Sequence, residues 1–138
     1  MPDPTGIAPS DNDRSVVDFS IRATLRMKIP VRKRKEARRI LGSMIERIRL
    51  EEGCLGCRLY LDAQEEGTLM FEEIWANEIS FRNHLRSDEF RTVLLVVEMA
   101  GAPPAIRFDR IAHTAGMDTI EGIRNRANIK PGASGSKS

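Results

Sequence analysis

Residues 53–90, GCLGCRLYLDAQEEGTLMFEEIWANEISFRNHLRSDEF, decide the fold. Leu55 to Asp62 alternates, with Cys57, Leu59 and Leu61 on one side and Arg58, Tyr60 and Asp62 on the other, the period of two that marks a half-buried strand. Ala63 to Gly67 is a polar turn with a glycine, and Thr68 to Ala76 is rich in β-formers, so the two runs predict a hairpin. Leu69, Phe71, Glu73 and Trp75 then share one face. Asn77 is placed to cap a short helix to about Arg86, with Phe81, His84 and Leu85 on one side. Ser87 caps a second helix. Its first turn holds Asp88 and Glu89, where the helix dipole favours acids, and Phe90, Val93, Leu94 and Val97 form its stripe.

Upstream, every odd position from Val17 to Ile29 is apolar and the even ones are polar, which predicts a strand that Pro30 ends. Ala37, Ile40, Leu41, Met44, Ile45 and Ile48 wind one apolar stripe along a helix from about Arg32 to Glu52, with Gly53 as its left-handed stop. Downstream, Gly101, Pro103 and Pro104 break the last helix, and Ile106 to Ala112 predicts a final strand. The order is βαββαβ. One antiparallel sheet with helices on one face, the ferredoxin-like α+β arrangement, accounts for it. Its other face is left bare, so a second copy of the chain is the expected cover, making a homodimer.

Residues 1–14, rich in Pro, Asp, Ser and Gly, read as a disordered tail, residues 15–112 as the folded domain, and residues 113–138 as a partly disordered extension in which Thr119 to Arg126 predicts a weak helix. The longest apolar run, Val93 to Val97, is far below the roughly 18–20 residues that span a bilayer. With no basic, apolar leader at the N-terminus either, a soluble cytoplasmic protein without membrane partners is expected, and Cys54 and Cys57 are expected to be free thiols.

The ordered set EEGCLGCRLY, FEEIW, NHLRS, DEF and RFDRI resembles the antibiotic biosynthesis monooxygenase family of the dimeric α/β-barrel superfamily, over roughly residues 16 to 112. The resemblance implies that two protomers pair their sheets into a β-barrel, with a pocket in each between sheet and helices. It also implies a cofactor-independent monooxygenase that acts on a quinol-like or polycyclic aromatic small molecule. Neither an organic cofactor nor a metal is then expected, molecular oxygen being the co-substrate. The family also includes haem-degrading enzymes and an isomerase of a small signalling molecule, so fold alone does not choose the reaction. Haem degraders pair Trp and His with an asparagine on the first strand, and this first strand has none. Some members carry a second histidine where this chain has Glu89.

Within that resemblance Trp75, His84 and Glu73 are the candidate catalytic residues, and Phe71, Phe81, Phe90 and Leu94 the candidate substrate-binding wall. A neutral His84 imidazole could take a proton from a phenolic hydroxyl, while the indole of Trp75 stacks on the substrate. The bland alternatives are core packing for Trp75, a helix-edge position for His84 bonded to water or a carboxylate, and, for Glu73, a salt bridge to a basic residue at the barrel seam. A non-catalytic dimeric domain that binds a small metabolite or regulates a partner stays open, as does an isomerase of a phosphorylated metabolite. Cys54 and Cys57 follow a helix end instead of starting one, which argues against a thioredoxin-like pair. The eight basic residues from Arg26 to Arg39 lack the interleaved aromatics of single-strand binders, so no nucleic-acid partner is expected; a solvated helix face paired with the acidic tail is the simpler reading.

Overall fold

A computed structural model of the chain describes residues 19–129. The elements are β1 (Ser20–Lys28), α1 (Val31–Arg49), β2 (Cys54–Leu61), β3 (Thr68–Trp75), α2 (Glu78–Leu85), α3 (Asp88–Val97), β4 (Ala105–Ile111) and α4 (Met117–Ile129). The strands form one sheet in the order β2-β3-β1-β4, every neighbouring pair antiparallel. This is the ferredoxin-like α+β arrangement, with the second helical unit broken in two. The tail of residues 1–14 and the final Gly/Ser segment fall outside the described residues.

Alternation sets the core. Ile21, Ala23, Leu25 and Met27 of β1 are buried beside Leu69, Phe71, Glu73 and Trp75 of β3, and the α1 stripe of Ala37, Leu41, Met44 and Ile48 closes over them. α1 packs on β2 and α3, while α2 lies over β1 and β3. The helical layer ends there, so the row of β4 that faces the same way stays open, with Ile106 47% and Phe108 48% exposed. On the opposite face, ion pairs cross between strands and turns, Arg22 to Asp109 and Arg26 to Asp62 and Glu65. Met70 and Ile74 are half-buried among them. α4 begins two residues before the expected helix and presents Met117, Ile120 and Ile123 outward.

Caps place α2 and α3 as the sequence predicts, whereas α1 stops at Arg49 with Leu50 as its C-cap, three residues short of the expected end at Glu52 and Gly53. Asn77 Oδ1 accepts the Ser80 N–H at 2.8 Å, and Ser87 Oγ accepts that of Phe90 at 3.1 Å. Gly53, at φ 84°, ends the turn after α1, and its carbonyl accepts the Ala76 N–H at 2.7 Å, joining the start of β2 to the end of β3. A Cβ at this glycine would collide with the Ser80 side chain of α2. Gly53→Ala should therefore lower unfolding free energy by about 2 kcal/mol, from backbone strain and the collision together. Urea unfolding should show Gly53→Ala/Ser80→Gly regaining only the part due to the collision; a fully tolerated Gly53→Ala would contradict the close approach of α2 to this turn.

Candidate functional site

Glu73 and Trp75 project from β3 into the helix-facing layer and are completely buried. A carboxylate at that depth needs partners for both oxygens. Glu73 Oε1 accepts the indole N–H of Trp75 at 3.1 Å, and Oε2 lies 2.9 Å from Nε2 of His84. The first bond follows from strand geometry, in which residues two apart share a face. The second comes from α2, where Phe81 and His84, three residues apart, turn together toward the sheet. His84 is 1% exposed, and its other nitrogen, Nδ1, lies 2.8 Å from Oε1 of Glu51 in the turn after α1.

Packing holds the imidazole in place. It stacks on Trp75 with ring centroids 4.5 Å apart at 29°, and the ring of Phe90 meets it edge-on at 5.3 Å. The Ser87 hydroxyl donates to the His84 carbonyl at 2.6 Å while capping α3, which fixes Phe90 against the histidine. Room for these polar groups comes from β1 and β2, because the cross-strand partners of Glu73 are the small residues Ala23 and Cys57. Larger side chains there would fill the layer.

Carboxylates accept, so a ring nitrogen must donate to each of them, and both nitrogens carry protons when both acids are ionised. Burial, the largest influence on His84, pulls its pKa down, but the hydrogen bonds and charges of Glu73 and Glu51 together outweigh it and hold it above 6.5. Burial raises Glu51 above 4.5 against the opposing pull of His84, and Glu89 and Glu73 add to the rise. With imidazolium and two carboxylates the group carries one net negative charge inside an apolar shell, a setting that favours uptake of a further proton. Glu51 Oε2 is buried without a partner among the described residues. The Glu51 side chain, 21% exposed, is where this group reaches solvent.

Trp75, Glu73 and His84 are thus brought together, with Phe81 and Phe90 in the shell around them at 7% and 8% exposure. Phe71 is sealed farther along β3, and Leu94 is 39% exposed on α3. His84 is interior, not at a helix edge, and the partners of Glu73 are an imidazole and an indole. Glu51 was not singled out by sequence; the signal was an acidic pair just past a helix C-terminus, where the dipole disfavours acids. None of five of the better-formed clefts on the described surface is lined by Trp75, Glu73 or His84. Two of them come within a residue: one of about 360 Å³ includes Phe81 and Ile21, the register partner of Trp75, and one of about 380 Å³ includes Cys54 and Cys57, the register partners of Trp75 and Glu73.

Burial raises both cysteine thiols, and the charge of Glu73 adds to the effect, so Cys54 and Cys57 stay neutral. Within the basic stretch, Arg26 and Lys28 pair with acids of the β2–β3 turn, Arg34 donates to the Ile29 carbonyl at 2.8 Å, and Arg39 pairs with Glu36. The acidic residues of the tail expected to face this stretch lie outside the described residues. Among the described residues, no group of three or more His, Cys, Asp or Glu is disposed to hold a metal ion.

The model of the antibiotic biosynthesis monooxygenase family matches residues 20–94. No curated protein matches the chain. Among solved structures, a conserved protein of Methanosarcina mazei Go1 is 28% identical over 67% of this chain and 93% of its own, with a TM-score of 0.63. Rv0793 of Mycobacterium tuberculosis is 24% identical over 70% of this chain and 99% of its own, with a TM-score of 0.63. A protein named antibiotic biosynthesis monooxygenase is 18% identical over 70% of this chain and 99% of its own, with a TM-score of 0.60. The last two likenesses speak to the fold alone.

His84 and Glu51 both hold a proton more tightly in the folded chain than in the unfolded one, so stability must fall as pH rises. The His84 share is complete below 6.5 and is lost as pH climbs through its raised folded value, while Glu51 adds to the same slope from 4.5 upward. The urea midpoint should therefore drop as pH rises from about 6 through the raised folded value of His84. His84→Gln should lose most of that slope and about 3 kcal/mol, because Glu73 is left with an unmatched buried charge. A wild-type midpoint that is flat or rising over this range would contradict the coupling.

Proposed function

This chain belongs to the antibiotic biosynthesis monooxygenase family, and from that premise we propose that it is a cofactor-independent monooxygenase acting on a quinol-like or polycyclic aromatic small molecule. The observation that supports this most is the buried chain Trp75–Glu73–His84–Glu51, a proton-holding group built beneath an aromatic shell. Such a substrate must lose a phenolic proton before oxygen can react with it, since the electron-rich phenolate is the reactive form. The imidazolium of His84 first gives a proton through Glu51 to water, and the neutral ring, held in place by Glu73 and Glu51, then takes the phenolic proton. Trp75 orients the imidazole by stacking. One oxygen atom enters the substrate and the other leaves as water, all electrons coming from the substrate. The ring docks against Phe81, which swings aside to admit it to His84; Phe90 backs the imidazole, with Leu94 one turn farther out on α3.

Oxygen uptake with a panel of quinols and anthrones tests the reading. Wild type should exceed the uncatalysed rate with at least one of them, with His84→Ala down about 100-fold and Trp75→Phe less affected. No uptake above background with any substrate would count against a monooxygenase. The sealed position of His84 favours a second reading, a domain that binds a small metabolite without turning it over; ligand binding without oxygen consumption would select it.

We also read the protein as a homodimer whose open sheet faces pair into a barrel, a reading supported by family membership and by half-buried Met70 and Ile74 on that face. The neutral thiols of Cys54 and Cys57 suit a reducing compartment such as the cytoplasm, and no helix of the described residues is long and apolar enough to cross a membrane. Light scattering at micromolar concentration should give twice the 15.5 kDa chain mass; a monomer would contradict the shared barrel.

A further inference from the structure

The inward row of β4 lies beyond the helical layer, yet it is not simply bare. Phe108, 48% exposed, sets its ring 5.0 Å from that of Phe81 at 67°. Around this pair opens the cleft of about 360 Å³ lined by Ile21, Glu78, Phe81, Phe108, Asp109 and Arg110. That volume is at the lower end of the roughly 300–1,000 Å³ range of small-molecule sites. Its inner wall is apolar and aromatic.

The lip is charged, and its charges are unequally committed. Glu78 Oε1 accepts from Arg110 at 2.8 Å, and Glu78 Oε2 accepts from Arg82 at 2.9 Å. One carboxylate therefore serves two guanidinium groups. Arg82, one turn along α2 and the largest influence, holds Glu78 ionised below the usual carboxylate range, with Arg110 adding to it. If Arg110 turns away, Glu78 keeps a charged partner. Arg110 loses little by turning, since it is 65% exposed and exposed ion pairs are weak. Asp109, the other acid of the lining, is already engaged by Arg107 at 3.2 Å and Arg22 at 3.5 Å. Arg110 is thus a cation at the mouth of an aromatic cleft that can be released to a ligand.

We propose that this cleft binds a planar aromatic molecule bearing a carboxylate, its ring held by Phe81 and Phe108 and its carboxylate by Arg110 in exchange for Glu78. The proposal rests on the reading of the chain as acting on an aromatic small molecule, and it narrows that class to aromatic acids. The site adjoins the buried group, because Phe81 precedes His84 by one helical turn and Ile21 is paired with Trp75 in the sheet. A bidentate contact from a planar guanidinium gives the acid its advantage over a neutral ring of the same size.

Calorimetric titration with 3-hydroxy-2-naphthoate and with 2-naphthol, at about 0.15 M salt, tests this directly. The acid should bind wild type about tenfold more tightly or better. Arg110→Gln should bring the acid down to the level of the naphthol and leave the naphthol unchanged, and Phe108→Ala should weaken both. Glu78→Gln should bind the acid at least as well as wild type. Equal binding of acid and naphthol to wild type, a preference that survives Arg110→Gln, or no binding of either at millimolar concentration would overturn the proposal. Oxygen uptake measured in parallel separates it from the oxygenase reading. An acid preference without uptake supports the cleft and sinks the oxygenase, whereas uptake without an acid preference overturns the cleft alone.

Discussion

A carboxylate without exposure to water, with one oxygen on an indole N–H and the other on an imidazole, is the constraint around which this domain is arranged. Left unpaired, an ion at that depth would cost several kcal/mol, so the partners of Glu73 are conditions of folding as well as contacts. Trp75 satisfies one oxygen from the same strand. The other oxygen requires α2 to sit where His84 can reach it, and His84 in turn requires Glu51 from the turn after α1. The Ser87 cap, the close approach at Gly53 and the small neighbours Ala23 and Cys57 each make this crossing of elements possible.

The same group explains what was legible in the chain and what was not. Alternation from Val17 to Ile29 and along the hairpin reports which side chains face inward, and Asn77 and Ser87 report where two helices begin, whereas Gly53 marks the turn before the second strand and not the end of the first helix. Glu73 and Trp75 could be put on one face for that reason. Periodicity does not report partners. Glu51 is 33 residues from His84 in sequence, and nothing local distinguishes it from Glu52 beside it. His84 could have been an edge residue on the same helical face; its burial depends on α3 folding back through Ser87 to lay Phe90 on the ring. Leu94 shares the stripe of Phe90 and Val93 but sits at its margin, 39% exposed, and the helical layer ends before reaching β4. That shortfall, a property of helix packing across the sheet, also leaves Phe108 and Arg110 open.

Two kinds of electrostatic arrangement stand on either side of the Trp75–His84 stack. Toward β2 the charges are buried and mutually dependent, and a proton moved to one changes the others. Toward β4 they are exposed and exchangeable, with Glu78 held between two arginines. A buried group suits holding a proton at a fixed place, and an exposed one suits trading partners with a ligand. Phe81 and Ile21 line the exposed cleft, Phe81 one helical turn before His84 and Ile21 paired with Trp75 in the sheet.

His84 is held as a doubly donating imidazolium between Glu73 and Glu51. Nitrogen-15 NMR of the two ring nitrogens of His84, with His113 as the second signal, tests it most directly. Both nitrogens should carry protons at neutral pH, with titration above the ordinary 6.5, and Glu73→Gln should remove the upward displacement. A neutral ring with one protonated nitrogen at neutral pH, titrating at or below the ordinary value, would contradict it.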